Sequence, residues 1–274
     1  MAGRLQGKCA LIIGAASRDN MAQVITKRFI AEGAKVMVAG RKREELERFA
    51  GETGALVGIC DITNRAEVFA LAQHAKAQLG KIDIAIQATG WGLLKPFDLT
   101  TEEELRQMTD LQFIGPFFFF QAVLGVMADG GSLIEISSAT ATIMLNDHAA
   151  YMGTKAGIDH VIRCIANEYG KRGIRANSIS PGLTESPMTA KAKAVKGLWE
   201  AYVAKYPLGR VGTSDDIAAA AVFLASDECF MSGQNLQVNG GLTLRGNPSR
   251  DEIDEVVIKA TGKPRPRPWE AAKG

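Results

Sequence analysis

Residues 12–22 read IIGAASRDNMA, from Ile12 through Gly14 and Asn20 to Ala22, and their interpretation sets that of the whole chain. Upstream, Cys9–Ile13 is a continuous apolar run of strand length. Downstream, residues 21–32 carry apolar side chains at i, i+3 and i+4, the spacing of an amphipathic helix. The turn between them holds one glycine, Gly14, where glycine permits a positive φ and a close approach of backbone to a neighbour. Asn20 tolerates the left-handed region better than most residues, and it also suits the N-cap of a helix whose first turn is Met21-Ala22-Gln23-Val24.

The same alternation continues along the chain. Strand-length runs recur at 35–39, 55–59, 82–87, 132–137, 175–180 and 235–238, with helix-periodic segments at 43–50, 64–79, 101–127, 149–171 and 214–225. Parallel strands need long crossovers, usually helices, so the pattern predicts an α/β fold: a single-domain, Rossmann-type, doubly wound architecture over 1–245, with a seven-stranded parallel sheet and helices on both faces. IDIAIQ and SLIEIS read as strands buried on both sides. After Arg245 the chain turns polar and rich in proline and arginine, and residues 246–274 are expected to form an extension with one short helix near 250–260 and a flexible end. The alternative role for this extension is to cover a neighbouring subunit or the mouth of the site.

Composition narrows the partners. The 32 basic and 30 acidic residues leave a net charge of +2, which provides no field to attract nucleic acid or an anionic membrane. A small-molecule partner is expected. Cys9, Cys60, Cys164 and Cys229 are widely separated, without CxxC pairing or histidines at ligand spacing, so they read as reduced thiols and no metal site is expected. The apolar run at the N-terminus is too short for a signal peptide, no later segment is apolar enough to span a membrane, and the expected location is cytoplasmic.

Tyr151-Met152-Gly153-Thr154-Lys155 sets a phenol and an ammonium four residues apart at the start of a helical segment, hence on one helix face. A phenol with a pKa near ~10 is a poor acid-base group at neutral pH, and an adjacent cation brings it toward the working range. Ser138, closing the run SLIEIS-Ser138, is placed to offer a hydroxyl to the same substrate oxygen. With Asn177-Ser178-Ile179-Ser180-Pro181-Gly182 and Ser232-Gly233-Gln234…Val238-Asn239-Gly240-Gly241, the chain from about Gly7 to Leu244 resembles the short-chain dehydrogenase/reductase family. The resemblance implies hydride transfer between a nicotinamide and a carbinol or carbonyl carbon. Tyr151 would be the acid-base group, Ser138 would hydrogen-bond the substrate oxygen, and Lys155 would lower the tyrosine pKa and contact the nicotinamide ribose. It also implies that Pro181, Gly182, Thr184 and Ser186 flank the nicotinamide.

Three departures qualify the likeness. Gln87-Ala88-Thr89-Gly90 stands where the family often has NNAG, keeping Gly90 for close passage of the cofactor beside Ala88 and Thr89. Gln112 occupies the place of a family asparagine that holds a relay water, one methylene too long for that task. The opening turn has Arg18 and Asn20 in place of two glycines, and resembles the GxAxxxSxA turn of bacterial enoyl-acyl-carrier-protein reductases at Gly14, Ala16, Asn20 and Ala22. That branch uses a lysine seven residues after its tyrosine, where this chain has Ile158, so the catalytic pair points to carbonyl reduction rather than enoyl reduction. Backbone amides near Asn20 and Met21 are expected to face the pyrophosphate, with Ser17, Arg18 and Asp19 beside the adenosine.

Gly40 stands where a dehydrogenase that uses NAD normally has an acid, and Arg41 follows it, so NADP(H) is expected to be preferred over NAD(H). Three positive charges, Arg41 to Arg43, would oppose the dipole of the helix they begin without an anion nearby. Asp61 and Ile62 match the adenine-binding region, Asp61 having the alternative of a helix cap. Trp91, Leu93, Leu94, Met144, Leu145 and the segment 187–206, with Met188, Leu198, Trp199 and Tyr202, are expected to wall and cover an apolar pocket. His148 either lines that pocket or is an ordinary loop residue. The run Phe117 to Phe120 predicts burial in the core and in a subunit contact, and the resemblance implies a homodimer or homotetramer. The expected activity is that of a carbonyl reductase on an apolar secondary alcohol or ketone of steroid, cyclic-ketone or 3-oxoacyl type. The alternatives are an inactive nucleotide-binding regulator or an enoyl-thioester reductase.

Overall fold

Apolar runs punctuated by caps and glycines become alternating strands and helices over most of the chain in a computed structural model, which describes residues 3–265, 267 and 269. In chain order the elements are β1 (Cys9–Ile13), α1 (Met21–Ala31), β2 (Lys35–Gly40), α2 (Arg43–Thr53), β3 (Leu56–Ile59), α3 (Arg65–Leu79), β4 (Ile84–Gln87), α4 (Glu102–Thr109), α5 (Gly115–Leu124), β5 (Ser132–Ile136) and α6 (Ala149–Tyr169). There follow β6 (Arg175–Pro181), β7 (Thr184–Glu185), α7 (Ala190–Lys193), α8 (Leu198–Val203), β8 (Gly212–Thr213), α9 (Ser214–Ala225), β9 (Asn235–Val238), α10 (Leu242–Arg245) and α11 (Arg250–Thr261).

Seven strands form one parallel sheet in the order β3-β2-β1-β4-β5-β6-β9. The order reverses between β1 and β4, which opens a crevice beyond the carboxyl ends of the strands, where open α/β sheets bind ligands. One face packs Leu11, Ile13 and Leu133 against Val68, Phe119 and Ile162 of α3, α5 and α6. The other packs Ala10, Ile12 and Ile134 against Ile25, Phe29 and Ile217 of α1 and α9. Each fully buried Leu, Ile or Phe contributes about 1.5–3 kcal/mol, so the strands are clamped from both sides.

The expected continuous helix 101–127 is interrupted. Residues 110–114 form a wide π turn in which the Gly115 N–H reaches back to Asp110 O. Pro116 follows, a residue without an N–H whose ring collides with the carbonyl four residues back in a regular helix, so the ladder widens ahead of it. Gln112 is fully buried inside this turn. The run SLIEIS is not wholly apolar: Glu135 is fully buried in mid-sheet. Nor are the four phenylalanines equivalent, since Phe119 and Phe120 are buried while Phe117 is 44% exposed, the broken helix presenting only part of its circumference to the core.

The short pair β7 and β8, parallel to each other, had no counterpart in the hydrophobic pattern. Helix α11 is capped by a Ser249/Glu252 box and ends at Gly262. The flexible end expected for the extension falls largely on residues 266, 268 and 270–274, outside the described residues. Among the described residues no helix is long and apolar enough to cross a membrane, and no cluster of His, Cys, Asp and Glu suits a metal ion. Cys9, Cys60 and Cys229 are buried, and Cys164 is exposed.

Candidate active site

The turn after β1 is held by side-chain amides. Gly14 has φ 107°, and a Cβ there would lie 2.6 Å from the backbone of Ala88, so the close approach is to the loop after β4. Asn20 is the N-cap of α1, its side chain accepting from Gln23 N at 3.0 Å, while its Nδ2 donates to Gly14 O at 2.7 Å. Gln23 adds bonds to Ala15 O at 3.0 Å and from Asp19 N at 2.9 Å. The left-handed residue is Asp19 (φ 53°), not Asn20, whose φ of −73° is the extended geometry an N-cap requires. Ser17, Arg18 and Asp19 project into solvent, Met21 is half-buried as the first residue of α1, and no acidic residue occupies that helix's first turn.

At the end of β2, a Cβ on Gly40 would lie 2.7 Å from the Ala16 Cβ, so the place of the usual acid is closed sterically by the turn after β1. The expectation of three uncompensated positive charges does not hold. Arg41 faces Asp61 at 3.5 Å, Arg43 pairs with Glu47 at 3.2 Å, and Glu44 and Glu45 already occupy the first turn of α2. Asp61 accepts from both the N–H and the hydroxyl of Thr63; burial opposes its charge, but these bonds and Arg41 hold its carboxyl below the usual range. Asn64, not Asp61, caps α3. Ile62 is buried in the core behind this turn. A cavity of about 650 Å³ lies here, lined by Arg41, Thr63, Glu102 and Arg106 among others.

Beyond β4, Gln87 accepts from Thr89 N at 3.0 Å and donates to Thr89 Oγ1 at 2.7 Å, which fixes the Ala88-Thr89-Gly90 turn without the family's asparagines. Gln112 accepts from Trp91 N at 3.2 Å and donates to Thr154 Oγ1 at 3.4 Å. Its amide is thus spent on fastening the loop after β4 to α6.

Ser138 lies two residues beyond β5 and caps the short turn 139–141, its Oγ 2.9 Å from Thr140 Oγ1. Tyr151 lies in the first turn of α6, half-buried, and Lys155 lies one turn further on, 2% exposed. Lys155 Nζ donates to Glu135 Oε1 at 2.9 Å and to Ile136 O at 2.6 Å. Burial pulls the lysine pKa down, but Glu135 and then Tyr151 outweigh it and the value is raised. Glu135 is pushed up to about 7 by burial, against the pull of Lys155. The motif reading missed Glu135; its signal was a lone acid inside an otherwise apolar strand.

Pro181 closes β6, and Gly182 runs flush against Tyr206, whose Oη would lie 2.3 Å from a Cβ there. Thr184 is buried in β7, with its hydroxyl donating to Gly182 O at 3.0 Å, and Ser186 caps the next turn through Thr189. His148 Nδ1 lies 2.7 Å from Leu93 O, and burial lowers the imidazole pKa although Leu93 opposes this. The neutral ring therefore donates Nδ1–H to that carbonyl. Trp91 is half-buried; Met144 and Met188 are 74% and 64% exposed, at the rim. Trp199 packs with Tyr206, Val211 and Leu242. Leu198, expected in the pocket wall, instead faces α11 with Ala201, Ile253 and Val257. The extension also ties down the loop before Tyr151: Arg250 pairs with Asp147, and Asn247 Nδ2 donates to Met144 O at 3.0 Å.

A family model described as enoyl-(acyl carrier protein) reductase matches residues 14–243. The chain belongs to the short-chain dehydrogenase/reductase family. Members similar to it include the D-threitol dehydrogenase of Mycolicibacterium smegmatis, 35% identical over 88% of this chain and 95% of that one. The 7alpha-hydroxysteroid dehydrogenase of Escherichia coli K12 is 34% identical over 87% and 95% of the two chains. A short-chain type dehydrogenase/reductase from Mycobacterium ulcerans superposes with a TM-score of 0.85 at 29% identity, covering 89% of this chain and 92% of that one. As a member of this family the protein is an oxidoreductase with NAD(P) as its cofactor class. The family match ends at residue 243, before α11, whose Ile253 and Val257 pack on Leu198 and Ala201.

Proposed function

We propose that the protein is an NADP(H)-dependent carbonyl reductase or alcohol dehydrogenase acting on an apolar secondary alcohol or ketone, with Ser138, Tyr151 and Lys155 as its catalytic residues. The observation that carries the reading is the sharing of one α6 face by Tyr151 and a buried Lys155, the lysine donating to Ile136 O at the end of β5, two residues before Ser138. The residues present suit a dinucleotide: Gly14 and Gly40 leave no side chain between the phosphate turn and its neighbours, and Arg41 stands free of the sheet with a 69% exposed side chain. Gly14, Ala16, Asn20 and Met21 would hold the pyrophosphate, Arg41 and Asp61 the adenosine end, Ala88 to Gly90 the ribose, and Pro181 to Ser186 the carboxamide.

When bound, the cofactor supplies or accepts the hydride at the substrate carbon. In reduction, Tyr151 gives its phenolic proton to the developing alkoxide while Ser138 donates a hydrogen bond to the same oxygen. Lys155, held cationic, stabilises the tyrosinate that remains. Met144, His148 and Met188 would border the substrate, with Trp199 packed behind them on Tyr206 and Leu242, and their apolar surfaces favour a ring or chain substrate. Relatives named for threitol and for galactitol favour a polyol as the second reading. Gln112 we assign to loop positioning, and the expected setting is a cytoplasmic homodimer or homotetramer.

Purified protein is assayed with NADPH and NADH against steroid ketones, cyclic ketones, polyols and an enoyl thioester, with Tyr151→Phe as control. Ketone-dependent NADPH oxidation that falls at least about a hundredfold in the variant supports the reading. Cofactor binding with no turnover of any substrate above the variant's rate supports a regulator instead, and turnover of the enoyl thioester alone supports the enoyl branch.

A further inference from the structure

The Lys155 amine meets a carboxylate beneath it, in the interior of the sheet. A buried ion pair gains little over packed apolar side chains, so its presence between Ile134 and Ile136 calls for a role beyond stability. Glu135 does not stand alone. In register across the sheet it lies opposite Gln87 on one side and Ser178 on the other, and Ser178 lies opposite Asn235 of the edge strand β9. Asp159, one turn after Lys155 on α6, is buried over the same row and accepts from Asn235 Nδ2 at 2.5 Å. Asn235 Oδ1 in turn accepts from Gln237 Nε2 at 2.9 Å, an exposed side chain. A line of polar groups therefore runs from beneath Lys155 to the solvent edge of the sheet.

In this line the Ser137 and Ser178 hydroxyls hold the Asp159 carboxyl, while Glu135 Oε2, the oxygen that Lys155 does not take, is buried without a hydrogen-bond partner among the described residues. Buried polar groups are nearly always paired, so the free Glu135 oxygen marks a place where a proton can be held. On the other side of Lys155, Gln112 is fastened to Trp91 and Thr154.

We propose that Glu135 is the proton-holding partner of Lys155, so that protons consumed in the reaction are restored through Glu135, Asp159 and the β9 edge. This rests on the Tyr151–Lys155 reading above. In reduction the Tyr151 O–H bond breaks as the substrate alkoxide takes the proton. A Lys155 N–H proton then returns to the tyrosinate, and the Glu135 carboxylic acid gives its proton to the lysine amine. The Glu135 carboxylate is re-protonated from solvent with the Asp159 carboxyl and the Ser178 hydroxyl as the carriers, the Asn235 and Gln237 amides orienting Asp159 without carrying the proton, and no oxidation state changes in these steps. Glu135 touches no substrate and acts through Lys155 as a positioning residue. Its charged neighbours are Lys155 and Asp159, both from α6, with Tyr151 beside Lys155; β4 and β6 present the uncharged Gln87 and Ser178.

The test begins with infrared difference titration of the ligand-free protein. A protonated-carboxyl carbonyl band that titrates near neutrality is expected in wild type and in Tyr151→Phe, and is expected to vanish in Glu135→Gln. In turnover, Glu135→Gln should lower kcat about tenfold or more at neutral pH with cofactor Kd unchanged, and should remove an ionisation from the kcat–pH profile that Glu135→Asp retains. A band that survives Glu135→Gln, or a folded Glu135→Gln enzyme with kcat within about twofold of wild type and the same pH limbs, overturns the proposal. Should Glu135→Gln fail to fold, Asp159→Asn serves: removing that negative charge must move the band to lower pH, and a band that stays in place overturns the proposal. Full activity in Tyr151→Phe would instead defeat the Tyr151–Lys155 reading, whatever the band does.

Discussion

The rings of His148 and Tyr151 lie with centroids 4.4 Å apart and planes tilted by 32°. The histidine thus packs against the phenol, and its Nδ1–H is committed to Leu93 O. His148→Ala should raise KM about three- to tenfold with a smaller change in kcat, because it removes a ring contact worth about 0.5–1.5 kcal/mol and loosens the loop at residue 93. Steady-state kinetics on the best ketone of the panel separate the two parameters.

Burial of His148 also fixes a sign in the pH dependence. Its folded pKa is depressed, so the unfolded chain binds more protons once the pH falls below the ordinary imidazole value of 6.5. The contribution to stability is fully present above that value and is lost as pH falls through the folded pKa. His148→Gln should flatten the decline of Tm on the acid side of 6.5 relative to wild type. Parallel melts from neutral to acid pH decide it.

Arg41→Ala is expected to raise KM for NADPH about tenfold, with little change for NADH, because one charge-assisted contact to a 2′-phosphate is removed. Inserting the acid found in enzymes that use NAD will not by itself reverse the preference. Gly40→Asp places a Cβ 2.7 Å from Ala16 Cβ, so the phosphate turn must shift. The variant should lose about 1–3 kcal/mol of stability and bind both cofactors less tightly. Denaturant melts together with fluorescence titrations test both halves of the statement.

Asn20 both caps α1 and closes the turn onto Gly14 O. Asn20→Ala should cost about 1–2 kcal/mol of stability and weaken dinucleotide binding about tenfold. Asn20→Gly should restore part of the cap but not the affinity, since the position is extended and glycine's left-handed freedom is of no use there. Calorimetric titration of the two variants with NADPH distinguishes cap from turn.

Truncation after Arg245 removes Ile253 and Val257 from Leu198 and Ala201, each contact set worth about 1.5–3 kcal/mol. It also releases Asp147 from Arg250. The lid and the loop before Tyr151 lose a shared brace, so kcat/KM should fall about tenfold or more while NADPH affinity is retained. Measuring both on the truncated chain checks this, and Arg250→Ala should reproduce part of the loss.

The seven parallel strands, the helices between them and the shared helix face of Tyr151 and Lys155 were legible in the chain because they depend on local period and spacing. An apolar run of five residues is a strand wherever it packs, and i to i+4 on a helix is one face in any surroundings. Asn20 was legible as a cap for the same reason. What tertiary structure decided concerns groups distant in sequence: the partner of Lys155, the direction of Gln112, the neighbour of Leu198 and the closure of Gly40 by Ala16. Glu135 meets Lys155 across 20 residues, and Arg250 meets Asp147 across 103. No local periodicity carries such contacts, because they arise only when sheet register and helix packing bring the two side chains into one buried space, where an uncompensated charge is too costly to leave alone.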